Sequence, residues 1–86
     1  MIDSVNEEFN TDLDSIIKTA TTSESLLARM DAIKRLGNYS GPQIEKALSA
    51  LEKCILYDKD KTIRNLSSKF YTQLTEKRQE DTIKNI

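Results

Sequence analysis

Few side chains in this sequence of 86 residues have the chemistry of a catalytic or metal-binding group. There is no histidine and only one cysteine, Cys54, so the chain lacks the commonest general base and cannot build a thiolate cage for zinc. Glu8 and Asp12 are four residues apart, which would place both carboxylates on one face of a helix. No second set of ligands accompanies them, and we interpret the pair as a solvated face. The sequence therefore predicts no catalytic residue, no metal site and no cofactor.

The lone cysteine is predicted to be a small buried side chain, because Cys54 falls beside Leu51 and Ile55 on the apolar side of a helical pattern. A role as nucleophile is disfavoured, since no histidine is present to activate the thiol. The first residues are acidic and lack the basic and apolar parts of a signal peptide, and no apolar run reaches membrane-spanning length. Together with an unpaired cysteine, these features predict a cytoplasmic protein that does not bind a membrane.

The net charge of −1 conceals an uneven distribution along the chain. Residues 1–17 contain five acidic residues and no base, whereas residues 59–86 carry a net charge of +3. This polarity fits complementary packing within the chain, or a particle that pairs with itself or presents one pole to a partner. A nucleic acid is a weaker candidate for the basic pole, because Glu76, Glu80 and Asp81 interrupt it.

The elements that would position these residues are helices, since apolar residues recur at the spacing of 3.6 and no segment shows strand alternation. The first helix is predicted from about Asp3 to Ala20 and the second from about Glu24 to Leu36. The third begins around Ser40-Gly41-Pro42, and the fourth is capped by Asp60 and carries apolar residues as far as Leu74. Short connections favour antiparallel neighbours. We predict an all-α fold of four antiparallel helices that form two helical hairpins.

Two residues should mark helix ends. Gly37 follows basic residues and is predicted to end the second helix in a left-handed conformation, and Pro42 should lie in the first turn of the third helix. The second and third helices have the widest apolar arcs, and the arc of the third includes Leu56 and Tyr57. These two helices should therefore be central, with the other two outside. Residues 1–75 are predicted to form one domain, followed by a polar C-terminal extension at 76–86 that is a frayed helix or disordered.

From Arg29 to Leu74 the chain carries a pattern that resembles HEAT-like repeats, the paired helices of α-solenoids. Asp58 and Asp60 precede Ile63-Arg64, and Ser67 holds a small position three residues later. The order recurs as Ala28-Arg29 with Ala32 as the small residue, 35 residues earlier. Ala28 stands where a larger aliphatic residue is usual, and Tyr71 stands where leucine is usual. The alternative is a small four-helix bundle of other ancestry.

The resemblance implies structural roles for the two arginines. In such repeats the arginine supports the unit by bonding an aspartate in a turn, so Arg64 would reach Asp58 or Asp60, or an acid of the preceding unit. Arg29 would act in the same way. The resemblance also implies a non-enzymatic protein that offers an extended helical surface.

We therefore expect a protein–protein interaction module or adaptor. Arg64, Tyr71 and Arg78 recur every seven residues along one flank of the fourth helix, and arginine and tyrosine are enriched in binding hot spots. The predicted partner-binding residues are Arg35, Arg64, Lys69, Tyr71 and Arg78. The partner would be another protein, with a homodimer as an alternative. Nucleic-acid binding through the basic C-terminal third is the runner-up function.

Overall fold

A computed structural model describes the backbone of residues 13–84 and the side chains of residues 13–79. Within that range the chain forms four helices and no strand, which confirms the all-α prediction. They are α1 at residues 13–22, α2 at Leu26–Gly37, α3 at Ile44–Tyr57 and α4 at Lys61–Lys84. The predicted start of the first helix and the pair Glu8 and Asp12 lie outside the described residues.

Side-chain caps explain where α2 and α4 begin. The hydroxyl of Ser25 accepts a hydrogen bond from the backbone N–H of Ala28 at 3.2 Å. The carboxylate of Asp60 accepts one from the N–H of Thr62 at 2.8 Å, which confirms the predicted cap. Both residues satisfy N–H groups that have no partner within the helix.

Gly37 does lie at the end of α2, but the left-handed conformation predicted for it is wrong. No glycine in the described residues has a positive φ, and Gly37 is the last residue of α2. Its missing side chain is needed because a Cβ there would lie 2.6 Å from both Cβ and Cγ of Phe70. Asn38 is the C-cap residue of α2, and its side-chain amide donates to the carbonyl of Lys34 at 2.9 Å. Gly37 therefore allows α4 to approach closely.

The placement of Pro42 also differs from the prediction. Pro42 lies in the turn before α3, which begins two residues later at Ile44. The phenol of Tyr39 accepts the backbone N–H of Gln43 at 3.3 Å across this turn. The proline thus shapes the connection and is not part of the first helical turn.

The core draws on all four helices. Its buried apolar residues are Leu13, Ala20, Ala32, Ile33, Leu36, Ala47, Leu48, Ala50, Leu51, Cys54, Ile63 and Leu74. The predicted burial of Cys54 is confirmed. Helix α4 packs along both α3 and α2, so its predicted outer position is wrong. The apolar stripe of α4 is narrow, but small residues allow the neighbouring helices to approach it closely. These residues are Gly37, which faces Phe70, and the fully buried Ser67.

Helix α4 continues without a break through residue 75 to Lys84. The ammonium group of Lys77 donates to the carbonyl of Tyr39 at 3.4 Å, and Arg78 forms a salt bridge with Glu45 of α3. The polar stretch that begins at residue 76 is therefore helical as far as Lys84, and these two side chains contact the α2–α3 connection and α3. No helix of the described residues has the length and apolar character that a membrane span requires.

Candidate functional site

A buried ion pair joins the beginning of α2 to the turn between α3 and α4. The Nε of Arg29 lies 3.2 Å from Oδ2 of Asp58, and both side chains are less than a tenth exposed. The same guanidinium donates through a terminal nitrogen to the carbonyl of Ser23 at 2.8 Å. The angle at Nε does not suit a hydrogen bond, so the contact with Asp58 is electrostatic. Arg29 therefore connects two turns.

Arg64 holds its own turn by a different contact from the one that the resemblance implies. Its guanidinium donates to the backbone carbonyl of Asp58 at 2.8 Å and is half-buried. Among the described residues, no carboxylate forms a salt bridge with Arg64. The carboxylate of Asp58 serves Arg29, and that of Asp60 caps α4.

The turns before α2 and α4 have the same hydrogen bonds at positions 35 residues apart. The N–H of Ser25 donates to the hydroxyl of Ser23 at 3.2 Å, and the N–H of Asp60 donates to Oδ1 of Asp58 at 2.9 Å. Ser23 and Asp58 are thus equivalent. The arginine in each unit bonds the carbonyl six residues before it, with the same 2.8 Å distance. Sequence reasoning missed the equivalence of Ser23, because serine lacks the carboxylate of the pattern.

The structure does not bring the five predicted partner-binding residues into one patch. Arg35 is exposed on α2 and pairs with Asp31 at 2.9 Å. Lys69 lies about 140° around α4 from Arg64, and its ammonium is 5.9 Å from the ring centroid of Phe70. The remaining three residues are spread along the helix, with Arg78 about 21 Å from Arg64.

Tyr71 and Arg78 make contacts beyond their own helix. Tyr71 is half-buried and packs against the core, and Arg78 bonds Glu45 across the pair of helices α3 and α4. Together with Arg64, these residues form a flank of α4 next to α3. Arg64, Tyr71 and Arg78 thus also make contacts within the protein, and partner binding by the five residues stays a prediction.

Exposed apolar residues mark one end of the molecule, where α2 begins and α3 ends. Leu27 is 77% exposed and Tyr57 is 79% exposed, with Leu56 at 59% and Leu26 at 39%. Tyr57 lines a shallow groove of about 260 Å³ between the two equivalent turns, together with Thr21, Thr22, Ser23, Glu24, Arg29, Asp58 and Lys59. Sequence reasoning assigned Leu56 and Tyr57 to a buried arc, and the only signal against this was their position at the helix end.

The thiol of Cys54 lies in the core beneath this end. Burial raises its pKa, and the negative charge of Asp58 raises it further, while Ser67 and Arg29 act in the opposite direction. The sulfur donates to the carbonyl of Ala20 at 3.5 Å. The hydroxyl of Ser67 is near enough to influence the thiol, but its geometry is not that of a formed hydrogen bond. Cys54 is therefore a neutral packing residue.

We expect Cys54 to react slowly with iodoacetamide in the native protein. The raised pKa keeps the thiolate population low at pH 8, and the side chain is only 3% exposed. Alkylation should be at least about tenfold slower than in denaturant, where the thiol regains an ordinary pKa. Mass spectrometry of quenched time points measures both rates, and similar rates in the two conditions would contradict the buried position.

No group of three or more potential ligands is placed to hold a metal ion among the described residues. Comparison of the chain with known proteins found no matching family model, no similar curated protein and no similar solved structure.

Proposed function

We propose that this chain is a protein–protein interaction module without enzymatic activity. The observation that carries the proposal is the exposure of Leu27 and Tyr57, each more than three-quarters accessible to solvent at the same end of the molecule. Isolated exposed apolar residues are ordinary in proteins. Here Leu26 and Leu56 are exposed as well, and such a concentration of exposed apolar side chains near one end favours a binding site.

The chemistry around Tyr57 fits a protein partner. Tyrosine combines a large apolar ring with a hydroxyl and is enriched among residues that dominate binding energy. Glu24 and Lys59 line the groove beside it and place one charge of each sign at its edge. Such an apolar centre with a polar rim is the usual anatomy of an interface.

We also propose that the chain is a HEAT-like pair of helical hairpins, α1–α2 and α3–α4. The matched turns at Ser23 and Asp58 support it, because they recur after 35 residues with the same hydrogen bonds. The contacts between units support it as well. Lys46 pairs with Asp14 near one end of α1 and α3, and Cys54 bonds Ala20 near the other, as expected for helices stacked side by side in the same direction.

The partner is most simply another cytoplasmic protein, with the unpaired Cys54 as the support for that location. Nucleic-acid binding through the basic C-terminal third is less favoured, since the guanidinium of Arg78 already forms a salt bridge with Glu45 within the protein. The alternative partner is a second copy of this chain, which would form a homodimer through the end that carries Leu27 and Tyr57. Sedimentation distinguishes the homodimer from a complex with another protein, and recovery of nucleic acid in the capture experiment identifies the other alternative.

The proposal predicts that Leu27→Ser combined with Tyr57→Ser weakens capture of partner proteins at least about tenfold, because these are the two most exposed large apolar side chains of the described residues. The tagged full chain is used for affinity capture from its native host, and the captured proteins are quantified by mass spectrometry. Circular dichroism should show unchanged helicity, since both replaced side chains are exposed.

The matched control is Lys34→Ser combined with Glu52→Ser, which alters exposed residues of the same two helices and leaves the net charge unchanged. Capture should remain at the wild-type level. Equal capture by both variants, or equal loss in both, would contradict the proposed surface. Sedimentation that detects a dimer only in the wild-type chain would identify a second copy as the partner, and recovery of nucleic acid would point to the runner-up.

A further inference from the structure

Arg29 and Arg64 occupy the same place in the two equivalent turns, but only one of them has a carboxylate. Each arginine donates to the carbonyl six residues before it at 2.8 Å. Arg29 also has Oδ2 of Asp58 at 3.2 Å. Among the described residues, no acidic side chain lies within salt-bridge distance of Arg64. Arg64 is therefore an arginine whose equivalent charge contact is unfilled within the described part of the chain.

The position of the carboxylate that pairs with Arg29 indicates the side from which a carboxylate would approach Arg64. Asp58 belongs to the turn of the following hairpin, so the acid reaches Arg29 from the unit that packs against its own. The corresponding place for Arg64 is on the outer side of α3 and α4. The salt bridge between Glu45 and Arg78 lies on this side of the helix pair. Helical spacing puts Leu56 near the Glu45 side of α3 and Arg64 near the Arg78 side of α4.

This outer side has the properties of a surface that receives another helical element. Leu56 is 59% exposed on it, and the half-buried ring of Tyr71 lies seven residues after Arg64. Seven residues are close to two full turns, so the ring and the guanidinium share a flank of α4. An apolar contact beside a half-buried cation suits a partner that brings a carboxylate and excludes water from it.

We propose that Arg64 binds an aspartate or glutamate in the turn of a helical hairpin that a different protein stacks against α3 and α4. Positive charge at Arg64 is complementary to such an acid. This inference rests on the proposed interaction function and names the partner's chemistry, but it concerns another surface than Leu27 and Tyr57.

Within the part of the chain that the structure describes, the equivalent turn of a second copy does not supply the acid. The residue equivalent to Asp58 in the first hairpin is Ser23, whose single side-chain oxygen accepts the N–H of Ser25 at 3.2 Å. Asp58 uses one oxygen for the same bond and offers the other to Arg29. A hydroxyl has no second oxygen with a negative charge, so stacking of identical copies leaves Arg64 without its ion pair.

The same comparison gives a direct test, because Ser23→Asp installs the missing carboxylate in a second copy. The wild-type chain, labelled with ¹⁵N, is titrated with the unlabelled full-length Ser23→Asp chain as the probe. We expect the Nε–H resonance of Arg64 to shift and the Kd to be at least about tenfold lower than with the neutral Ser23→Asn probe. Labelled Arg64→Gln should bind both probes equally weakly.

Three results would overturn the proposal: no gain for Ser23→Asp over Ser23→Asn, the same gain with Arg64→Gln, or wild-type copies that bind each other as tightly as the acidic probe. Ser23→Glu is a second acidic probe, for which the same gain is expected, so misfolding of one variant does not decide the outcome. Failure here leaves the capture experiment on Leu27 and Tyr57 unaffected, which separates the two proposals.

Discussion

Asp58→Asn is expected to lower the free energy of unfolding by about 3 kcal/mol. Asparagine keeps an oxygen for the N–H of Asp60, which lies 2.9 Å from Oδ1, so the turn itself is preserved. The guanidinium of Arg29, however, stays buried without a counter-charge. A chain of this size has about 4–13 kcal/mol of stability in total, so the loss is a large fraction of it. Urea unfolding followed by circular dichroism measures the change.

The matched control for Asp58→Asn is Asp60→Asn, the same substitution two residues later. Asp60 caps α4 through the N–H of Thr62, and asparagine is an equally good cap, so its cost should stay below about 1 kcal/mol. Adding Arg29→Met to Asp58→Asn should recover part of the loss, because the uncompensated charge is then removed. Equal costs for the two asparagine variants would show that the ion pair contributes nothing beyond turn chemistry.

Gly37→Ala is expected to destabilise the protein by about 2–3 kcal/mol. At an ordinary helix position the same change stabilises by up to about 1 kcal/mol, because alanine loses less backbone entropy on folding than glycine. Here the new Cβ would lie 2.6 Å from Cβ and Cγ of Phe70, close to the backbone of α4, so the two helices must move apart. Chemical denaturation gives the size and the sign of the change.

Gly41→Ala is the matched control for this steric argument. A Cβ at Gly41 would meet the hydroxyl end of Tyr39 at 2.6 Å, and this end of a side chain can rotate away. We expect a change of less than about 1 kcal/mol. If Gly37→Ala costs no more than Gly41→Ala, the close approach of Phe70 to α2 is not a constraint on the fold.

The sequence predictions were correct for properties that nearby residues in the chain determine, and they failed where residues far apart in the chain determine the outcome. Asp60 as a cap was predicted correctly, since a cap depends on neighbours within one helical turn. Cys54 was predicted correctly as a buried residue, since it lies within the apolar stripe of its helix. Gly37 and Pro42 were assigned familiar roles at helix ends, and both assignments were wrong. For Gly37 the deciding contact is Phe70, more than thirty residues away in the chain.

The candidate site was predicted only in part for the same reason. Arg29 and Arg64 were recognised as arginines that support turns, and both do bond a turn carbonyl. Their assignment to a particular acid required knowing which turn lies beside which helix. The exposed end at Leu27 and Tyr57 was missed, because the apolar type of these residues favoured a place in the core.

The sequence by itself determined that this protein is built from helices, where a helix is capped, and that the chain lacks histidine chemistry. Helical periodicity places a residue around its own axis, but it does not say whether a neighbouring helix covers that side. Only the tertiary structure decided that Tyr57 is left in solvent and that the carboxylate of Asp58 pairs with Arg29 and not with Arg64. These outcomes depend on how whole helices stack, and that is set by packing between residues far apart in the chain.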